Sequence, residues 1–229
     1  AKHTIDSRYD CAVLSFLESV CRVFPEAPQT LLREHYRCHP KIINFCNQRF
    51  YGGRLLIMTE DHGEPDVITA WRTAPGHHAR GPFNPREIET IRREVLPSLP
   101  CEQAEIGIIS PYNEQVNALH RELGGGIDVA TVHKFQGREK NTIVFHTVRS
   151  EITAFLDDPN LINVAVSRAV EHLVVVKTEG MRIAHGSDIG DLLRYIRFTC
   201  EDVDSVFITS PIRSVFDVLH TEDAAMRFA

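Results

Sequence analysis

The sequence predicts an α/β fold in which a mainly parallel sheet carries helices on both faces. Short apolar runs alternate with amphipathic segments through most of the chain. Strands separated by single helices are joined by right-handed crossovers, which make neighbouring strands parallel. The run at 105–110 (EIGIIS) has isoleucines on both faces of a strand, at even and odd positions, as in strands covered on both faces. We therefore expect one sheet of five to seven strands across about residues 30–200.

The individual elements follow from local signals. Pro85 suits the first turn of a helix, and Ile88, Ile91 and Val95 lie on one helical face after it. Three consecutive glycines after Leu123 mark the end of another helix. The predicted strands are 66–71, 105–110, 127–132, 141–148 and 173–177, and the predicted helices are 84–96, 111–123, 160–169 and 188–198.

Composition and pattern divide the chain into three predicted parts. With 229 residues, 43% of them hydrophobic and 24% charged, the chain has the composition of a globular protein with a substantial core. Residues 1–30 have a helical or irregular pattern, and residues 31–200 form the α/β domain. Residues 201–229 begin a linker or a further domain that the chain does not complete.

The charge distribution is uneven. A net charge of −6 argues against a nucleic-acid partner, but five basic residues stand against the single acid Glu34 between Arg33 and Arg54. A local basic surface therefore remains compatible with such a partner. No apolar run approaches the roughly 18 residues of a membrane-spanning helix, and the first residues lack the apolar run of a signal peptide. We expect a cytoplasmic location and no membrane partner.

The cysteines indicate a reducing compartment. All six are irregularly spaced and none forms a CxxC pair, which favours free thiols over a zinc ribbon or a disulfide framework. The alternative is a metal site made by four residues that are close in sequence. We expect no metal there, because this stretch belongs to a motif described below. The four residues are His35, Cys38, His39 and Cys46.

Two motifs of nucleotide hydrolysis are missing from the sequence. It contains no G-x-x-x-x-G-K-[ST] loop, whose backbone N–H groups would cradle phosphates. It also contains no Asp-Glu pair after an apolar strand to hold magnesium. We therefore expect that this chain alone does not hydrolyse a nucleotide.

Four segments in a fixed order carry a family resemblance. They are 32–52 (LREHYRCHPKIINFCNQRFYG), 106–115 (IGIISPYNEQ), 130–139 (ATVHKFQGRE) and 161–169 (LINVAVSRA). Together they resemble the second motor domain of superfamily 1 helicases, in the branch of the nonsense-mediated-decay RNA helicase and its bacterial relatives. The resemblance implies a RecA-like fold of the P-loop NTPase type, here the lobe without the phosphate loop. It also implies ATP with Mg²⁺, held mainly by an upstream lobe of the same polypeptide from which residues 1–30 lead in.

The resemblance assigns two arginines to the γ-phosphate of ATP, Arg37 and Arg168. Arginine suits this role because it is always charged and forks onto phosphate oxygens. The alternative is that Arg37 pairs with a neighbouring acid and that Arg168 caps its helix.

Four further residues are assigned to the nucleotide. Tyr36 would stack on the adenine, although a buried or interface tyrosine is an alternative. Gln136 and Gly137 would lie against the nucleotide, and Glu139 would accept a hydrogen bond from the ribose. A turn that needs positive φ would also explain Gly137, and a surface charge would explain Glu139.

A second group is expected to bind single-stranded nucleic acid at the opposite edge of the lobe. Short donors at strand ends suit phosphate oxygens, and a few aromatic or basic side chains suit bases and phosphates. Alternatively, Ser110 caps a helix whose first turn contains Pro111. The candidates are Ser110, Pro111, Tyr112, Thr131, His133 and Lys134.

Three functions remain open. The chain is expected to be the carboxyl-terminal motor lobe of an ATP-dependent helicase or translocase that binds DNA or RNA. A binding module without motor activity is the second interpretation, and the presence of both Arg37 and Arg168 argues against it. A small α/β enzyme such as a nucleotidase is the third, and the missing phosphate loop argues against that.

Overall fold

The computed structural model describes residues 6–74, 79–199 and 207–210. The chain divides into two compact units, Ala1–Arg33 and Glu34–Ala229. Among the described helices, none has the length and apolar character that crossing a bilayer requires.

The first unit is a short helical segment. A 3₁₀ turn, Ser7–Tyr9, precedes helix α1, Phe16–Val23. Ser15 begins α1 through a reciprocal capping box: its Oγ accepts from the Glu18 N–H at 3.2 Å, and its own N–H donates to the Glu18 carboxylate at 2.8 Å. No residue of α1 is buried within this structure.

The second unit is built on a six-stranded sheet in the order β5-β4-β6-β7-β3-β8. Each neighbouring pair is parallel, so the predicted α/β fold class is confirmed. A separate two-stranded parallel sheet joins β1 and β2. The strands are β1 Glu34–His35, β2 Leu56–Ile57, β3 Ile68–Arg72, β4 Ile106–Ser110, β5 Asp128–Thr131, β6 Lys140–His146, β7 Ala169–Lys177 and β8 Phe207–Thr209.

β8 comes from the segment 201–229, for which the sequence predicts a linker or further domain. Its backbone pairs with β3, in the register Trp71 with Ile208, and forms the outer strand of the sheet. The remainder of that segment, apart from Ser210, lies outside the described residues.

Among the described residues of the second unit, seven helices connect or cover these strands. Residues Ile91–Val95 form a π-helical turn that joins α3 to α4, so the predicted helix 84–96 is one α-π-α segment. The helices are α2 Pro40–Phe50, α3 Pro85–Thr90, α4 Leu96–Ser98, α5 Asn113–Leu123, α6 Val132–Phe135, α7 Pro159–Val166 and α8 Asp188–Thr199.

Two predicted helix boundaries are wrong. Helix α5 begins at Asn113 with Tyr112 as its N-cap, so Ser110 does not cap it and Pro111 is not in its first turn. Helix α7 ends at Val166, and the strand predicted as 173–177 already begins at Ala169, which pairs with Lys140. The start of this strand contains the polar residues Glu171 and His172, so a search for apolar runs does not detect it.

The sheet is covered on both faces because successive side chains of each strand enter different cores. In β6, Ile143 and Phe145 contact the first core with α2, α7 and α8, whereas Val144 contacts the second with α3 and α5. All three side chains are fully buried. Short α6 belongs to the first core through Phe135. This two-sided burial explains why the strands are apolar runs rather than alternating patterns.

Glu87 of α3 closes the carboxyl end of the sheet with a buried hydrogen-bond network. Its fully buried carboxylate accepts from the Val148 N–H at 2.8 Å, lies 3.0 Å from Nδ1 of His146, and accepts from the Thr147 and Thr178 hydroxyls at 3.2 and 3.1 Å. Val148 has a φ of 67°, which is strained for a β-branched residue. Glu87 therefore fixes the turn that follows β6.

We expect Glu87→Ala to lower the free energy of unfolding by about 3 kcal/mol or more, because it leaves several buried donors without an acceptor. Urea denaturation followed by circular dichroism measures this loss. Glu122→Ala, at an exposed position of α5, is the matched control and should change stability by no more than about 0.5 kcal/mol. Equal stability of the two variants would contradict the structural role of Glu87.

Candidate functional site

Three distant segments bring charged candidate residues together at the amino edge of the sheet. Arg37 follows β1, Glu139 immediately precedes β6, and Arg168 immediately precedes β7. Arg37 and Glu139 form a salt bridge. Together with Glu34, Tyr36 and neighbouring residues they line an open groove of about 550 Å³. The acid that pairs with Arg37 is therefore itself a predicted nucleotide residue.

Arg168 lies partly buried beside this pair. Its guanidinium donates to the Arg138 carbonyl and to the Ser167 hydroxyl, both at 3.3 Å. Neither acceptor is a carbonyl of α7, so Arg168 does not cap that helix. Burial lowers the pKa of Arg168, and the charge of Arg37 lowers it further. The two cations therefore repel each other, and an anion between them would be stabilised.

His35 lies in the positive electrostatic field of Arg37 and Arg168. Burial lowers the pKa of its imidazole, and the charges of Arg37 and Arg168 lower it further. Its Nε2 accepts from the Cys38 N–H at 2.9 Å, so the ring braces the turn that carries Arg37. Sequence reasoning considered His35 only as a metal ligand and missed this role.

The other predicted nucleotide residues are exposed. Tyr36 is 65% exposed, which rules out a core tyrosine in this unit, and its hydroxyl donates to Glu34 at 2.5 Å. That hydrogen bond raises the pKa of Tyr36. Gln136 and Gly137 are exposed between α6 and β6. Gly137 has a φ of 84°, a backbone conformation that favours glycine. Among the described residues, no heavy atom lies within 4 Å of where a Cβ would stand, so the turn rather than a close contact explains the glycine.

The predicted nucleic-acid residues lie at the opposite, carboxyl edge. Ser110 and Thr131 end the neighbouring strands β4 and β5 and are register partners. Both residues are buried, and the Thr131 side chain makes no capping bond to α6. His133 and Lys134 follow on α6 and are exposed, while Pro111 is buried and Tyr112 is partly exposed. The structure thus brings together the strand ends but leaves the hydroxyls recessed.

Tyr112 belongs to a cluster that sequence reasoning missed. The Arg149 guanidinium lies 5.3 Å from the centroid of the Tyr112 ring, and the Phe155 ring lies 5.7 Å from it. The Tyr112 hydroxyl lies 3.4 Å from that of Thr153. A signal was available, because Arg149 directly follows the predicted strand 141–148 and should lie near the end of its neighbour.

The four residues considered as a metal site face different partners. The Cys38 thiol contacts the Ser167 carbonyl at 3.4 Å, and Cys46 is buried in the first core. His39 instead lies with two acids, 3.2 Å from Glu64 and 3.6 Å from Asp61. Its Nδ1 accepts from the Lys41 N–H at 3.1 Å, so a neutral ring carries its proton on Nε2 and donates to Glu64. This tautomer does not offer Nε2 to a metal.

The fold defines a parallel α/β domain. The model of the AAA domain family matches residues 13–179, which is more than half of the chain, and the chain therefore belongs to this family. This membership and the relatives below confirm the resemblance to helicases.

Three curated relatives illustrate the match. DNA polymerase alpha-associated DNA helicase A of Saccharomyces cerevisiae is 29% identical, over 76% of this chain and 32% of its own length. An uncharacterised ATP-dependent helicase of Methanocaldococcus jannaschii is 28% identical, over 73% of this chain and 29% of its own. DNA-binding protein SMUBP-2 of Rattus norvegicus is 26% identical, over 71% and 19%. The chain thus spans about a third or less of these relatives.

We expect the Cys38 thiol behind the arginine pair to resist alkylation. Burial raises its pKa from 9.0 to about 12, so it stays protonated and unreactive up to well above pH 9. Iodoacetamide labelling at pH 8, followed by peptide mass spectrometry, should modify the exposed Cys11 first and Cys38 only in denaturant. Equal labelling rates in the native chain would contradict the packing of Cys38 against Ser167.

Proposed function

We propose that the chain is the carboxyl-terminal motor lobe of an ATP-dependent nucleic-acid helicase or translocase. The observation that carries this proposal is a groove lined by Arg37 and Glu139, from two separate segments, with the partly buried Arg168 of a third segment beside them. Two relatives are named as helicases, which supports the same conclusion. The missing phosphate loop and magnesium ligands would come from an upstream lobe of the same polypeptide.

The arginine pair fits an anionic phosphate. Arg37 and Arg168 carry two like charges close to each other. The buried Nε of Arg168 also has no hydrogen-bond partner among the described residues. In the proposed cleft, Arg37 would exchange Glu139 for a γ-phosphate oxygen. Glu139 would then accept from the ribose hydroxyl, and Tyr36 would stack on the adenine. ATP with Mg²⁺ would supply the phosphoryl group, and the arginines would stabilise the charge that develops on it.

The carboxyl edge is proposed as part of the single-strand track. Ser110 and Thr131 place recessed hydroxyls at neighbouring strand ends, and Lys134 and His133 add exposed donors beside them. Such contacts reach phosphates without reading sequence. The assignment therefore leaves DNA and RNA as equal substrates.

In a protein that includes the upstream lobe, Arg37→Ala or Arg168→Ala should reduce kcat for ATP by about 10³-fold or more. The developing charge on the γ-phosphoryl group would lose a preorganised partner. Steady-state ATPase assays with saturating single-stranded nucleic acid measure this effect. Single-strand affinity should change little, because both arginines lie at the amino edge.

Arg121→Ala, at an exposed position of α5, is the control for these substitutions and should leave kcat unchanged. The isolated chain should show no magnesium-dependent turnover, because it has no phosphate loop. Unaltered kcat in Arg37→Ala would instead support a binding module without motor activity.

The carboxyl edge generates a separate prediction on salt dependence. Thr131→Ala or Ser110→Ala removes a neutral donor worth roughly 1 kcal/mol, so single-strand affinity should fall several-fold at every salt concentration. Lys134→Gln should instead lower the slope of log affinity against log salt by about 0.7, because a cation releases counterions. Fluorescence anisotropy across a salt series separates the two effects. A changed slope in Thr131→Ala would refute the assignment.

A further inference from the structure

We propose that Phe155, Arg149 and Tyr112 form a platform that holds one unstacked nucleobase and its phosphate. In this platform, Phe155 contacts the base and Arg149 contacts the phosphate. The inference rests on the proposed function, because it extends the single-strand track from the ends of β4 and β5 to the loop after β6.

The geometry of the two rings leaves an aromatic surface available. The planes of Phe155 and Tyr112 are tilted by 44° at a centroid distance of 5.7 Å, so the rings touch without covering each other. Phe155 is 45% exposed although its neighbour Leu156 is fully buried. An exposed aromatic ring at a fixed position is the side chain on which a base of any sequence stacks.

Arg149 carries a charge that no described carboxylate neutralises. The guanidinium of Arg149 lies over the Tyr112 ring and forms no salt bridge with a described carboxylate. Its Nε is buried and has no hydrogen-bond partner among the described residues. A cation held by an aromatic face keeps its donors for an anion.

The platform is held rigidly before any ligand arrives. Val148, next to Arg149, is fixed through its N–H by Glu87 and through its carbonyl by the Asn84 amide, both at 2.8 Å. The following loop is anchored by backbone bonds between Ser150, Ile152 and Arg182. Ligand binding therefore costs little ordering of this loop, which favours affinity.

The position of the platform favours a nucleic-acid strand over a free nucleotide. β5, β4 and β6 are consecutive neighbours in the sheet, so Thr131, Ser110 and the loop after β6 follow one another along the carboxyl edge. The proposed nucleotide groove lies at the amino edge, which is the opposite edge of the sheet. Successive phosphate donors followed by an aromatic ring match a sugar-phosphate chain with a splayed base.

The test compares two probes on the full chain: fluorescein-labelled (dT)20 and a base-free sugar-phosphate 20-mer. Phe155→Ala should weaken (dT)20 binding by about fivefold to a hundredfold, with an unchanged salt slope and unchanged binding of the base-free probe. Phe155→Tyr should restore (dT)20 binding. Arg149→Gln should lower the salt slope by about 0.7 with both probes, because it removes a phosphate contact.

Two matched controls lie on α8. Phe198→Ala removes a phenylalanine that is 87% exposed, and Arg197→Gln removes an exposed arginine. Neither should change affinity or salt slope. Circular dichroism melting verifies that each variant is folded.

The outcomes distinguish this inference from the proposed function. If the parent chain binds (dT)20 but Phe155→Ala binds it equally well, the platform is refuted and the single-strand track stands. Equal affinity of the parent chain for both probes would likewise refute base contact. If the parent chain binds neither probe, both the inference and the proposed track fail, while the ATPase prediction for Arg37 is unaffected.

Discussion

Parallel pairing of the central strands is the constraint on which the positions of all candidate residues depend. Because β5, β4, β6 and β7 run in one direction, their amino ends meet at one edge and their carboxyl ends at the other. Arg168 and Glu139 stand at the first edge, and Ser110 and Thr131 stand at the second. The seven residues of β6 separate the edges by roughly 20 Å at about 3.3 Å per residue.

This distance between the edges exceeds the screening length of about 8 Å at physiological salt, so charges at the two edges act almost independently. Coupling between bound ATP and bound nucleic acid in the proposed motor would therefore not be direct electrostatic interaction across this lobe.

Because the sheet is buried on both faces, its two edges stay at a fixed separation. Polar groups inside the domain therefore need hydrogen-bond partners within the protein. The carboxyl edge closes around Glu87, whose carboxylate binds groups from the ends of both β6 and β7. A buried carboxylate is stable only when its oxygens accept several hydrogen bonds, and here they do. The same bonds hold Val148 in a left-handed backbone conformation, which directs the chain toward Arg149. The buried Glu87 of α3 thus determines the position of the partly buried Arg149.

The sequence predicted the sheet well because two-sided burial produces apolar runs that are visible locally. It failed where partners are distant in sequence. The start of β7 depends on pairing between Ala169 and Lys140, and the start of α5 depends on the extended backbone at Tyr112. The motif resemblance assigns Arg37, Glu139 and Arg168 to the nucleotide by analogy, and all three lie at the amino edge of the sheet. Arg149 and Phe155 were missed because the contact with Tyr112 spans 37 and 43 residues respectively.

The two arginines are tied into one body, and this bears on how the proposed lobe would act. The turn of Arg37 is fixed to the start of β7 by the bond from the His39 N–H to the Val170 carbonyl, at 2.7 Å. The Cys38 thiol makes a second tie to Ser167. The Arg168 carbonyl accepts from the Lys140 N–H at 3.2 Å, which adds the segment of Glu139 to the same body. These bonds run between backbones or to buried groups, so they do not depend on a ligand. Arg37 is already paired with Glu139, whereas Arg168 has no carboxylate partner among the described residues, so a phosphate would replace Glu139 at Arg37 and add a counter-charge beside Arg168. Because electrostatic stabilisation is largest when the charges need little reorganisation, these backbone ties would make the arginines effective toward a phosphoryl group.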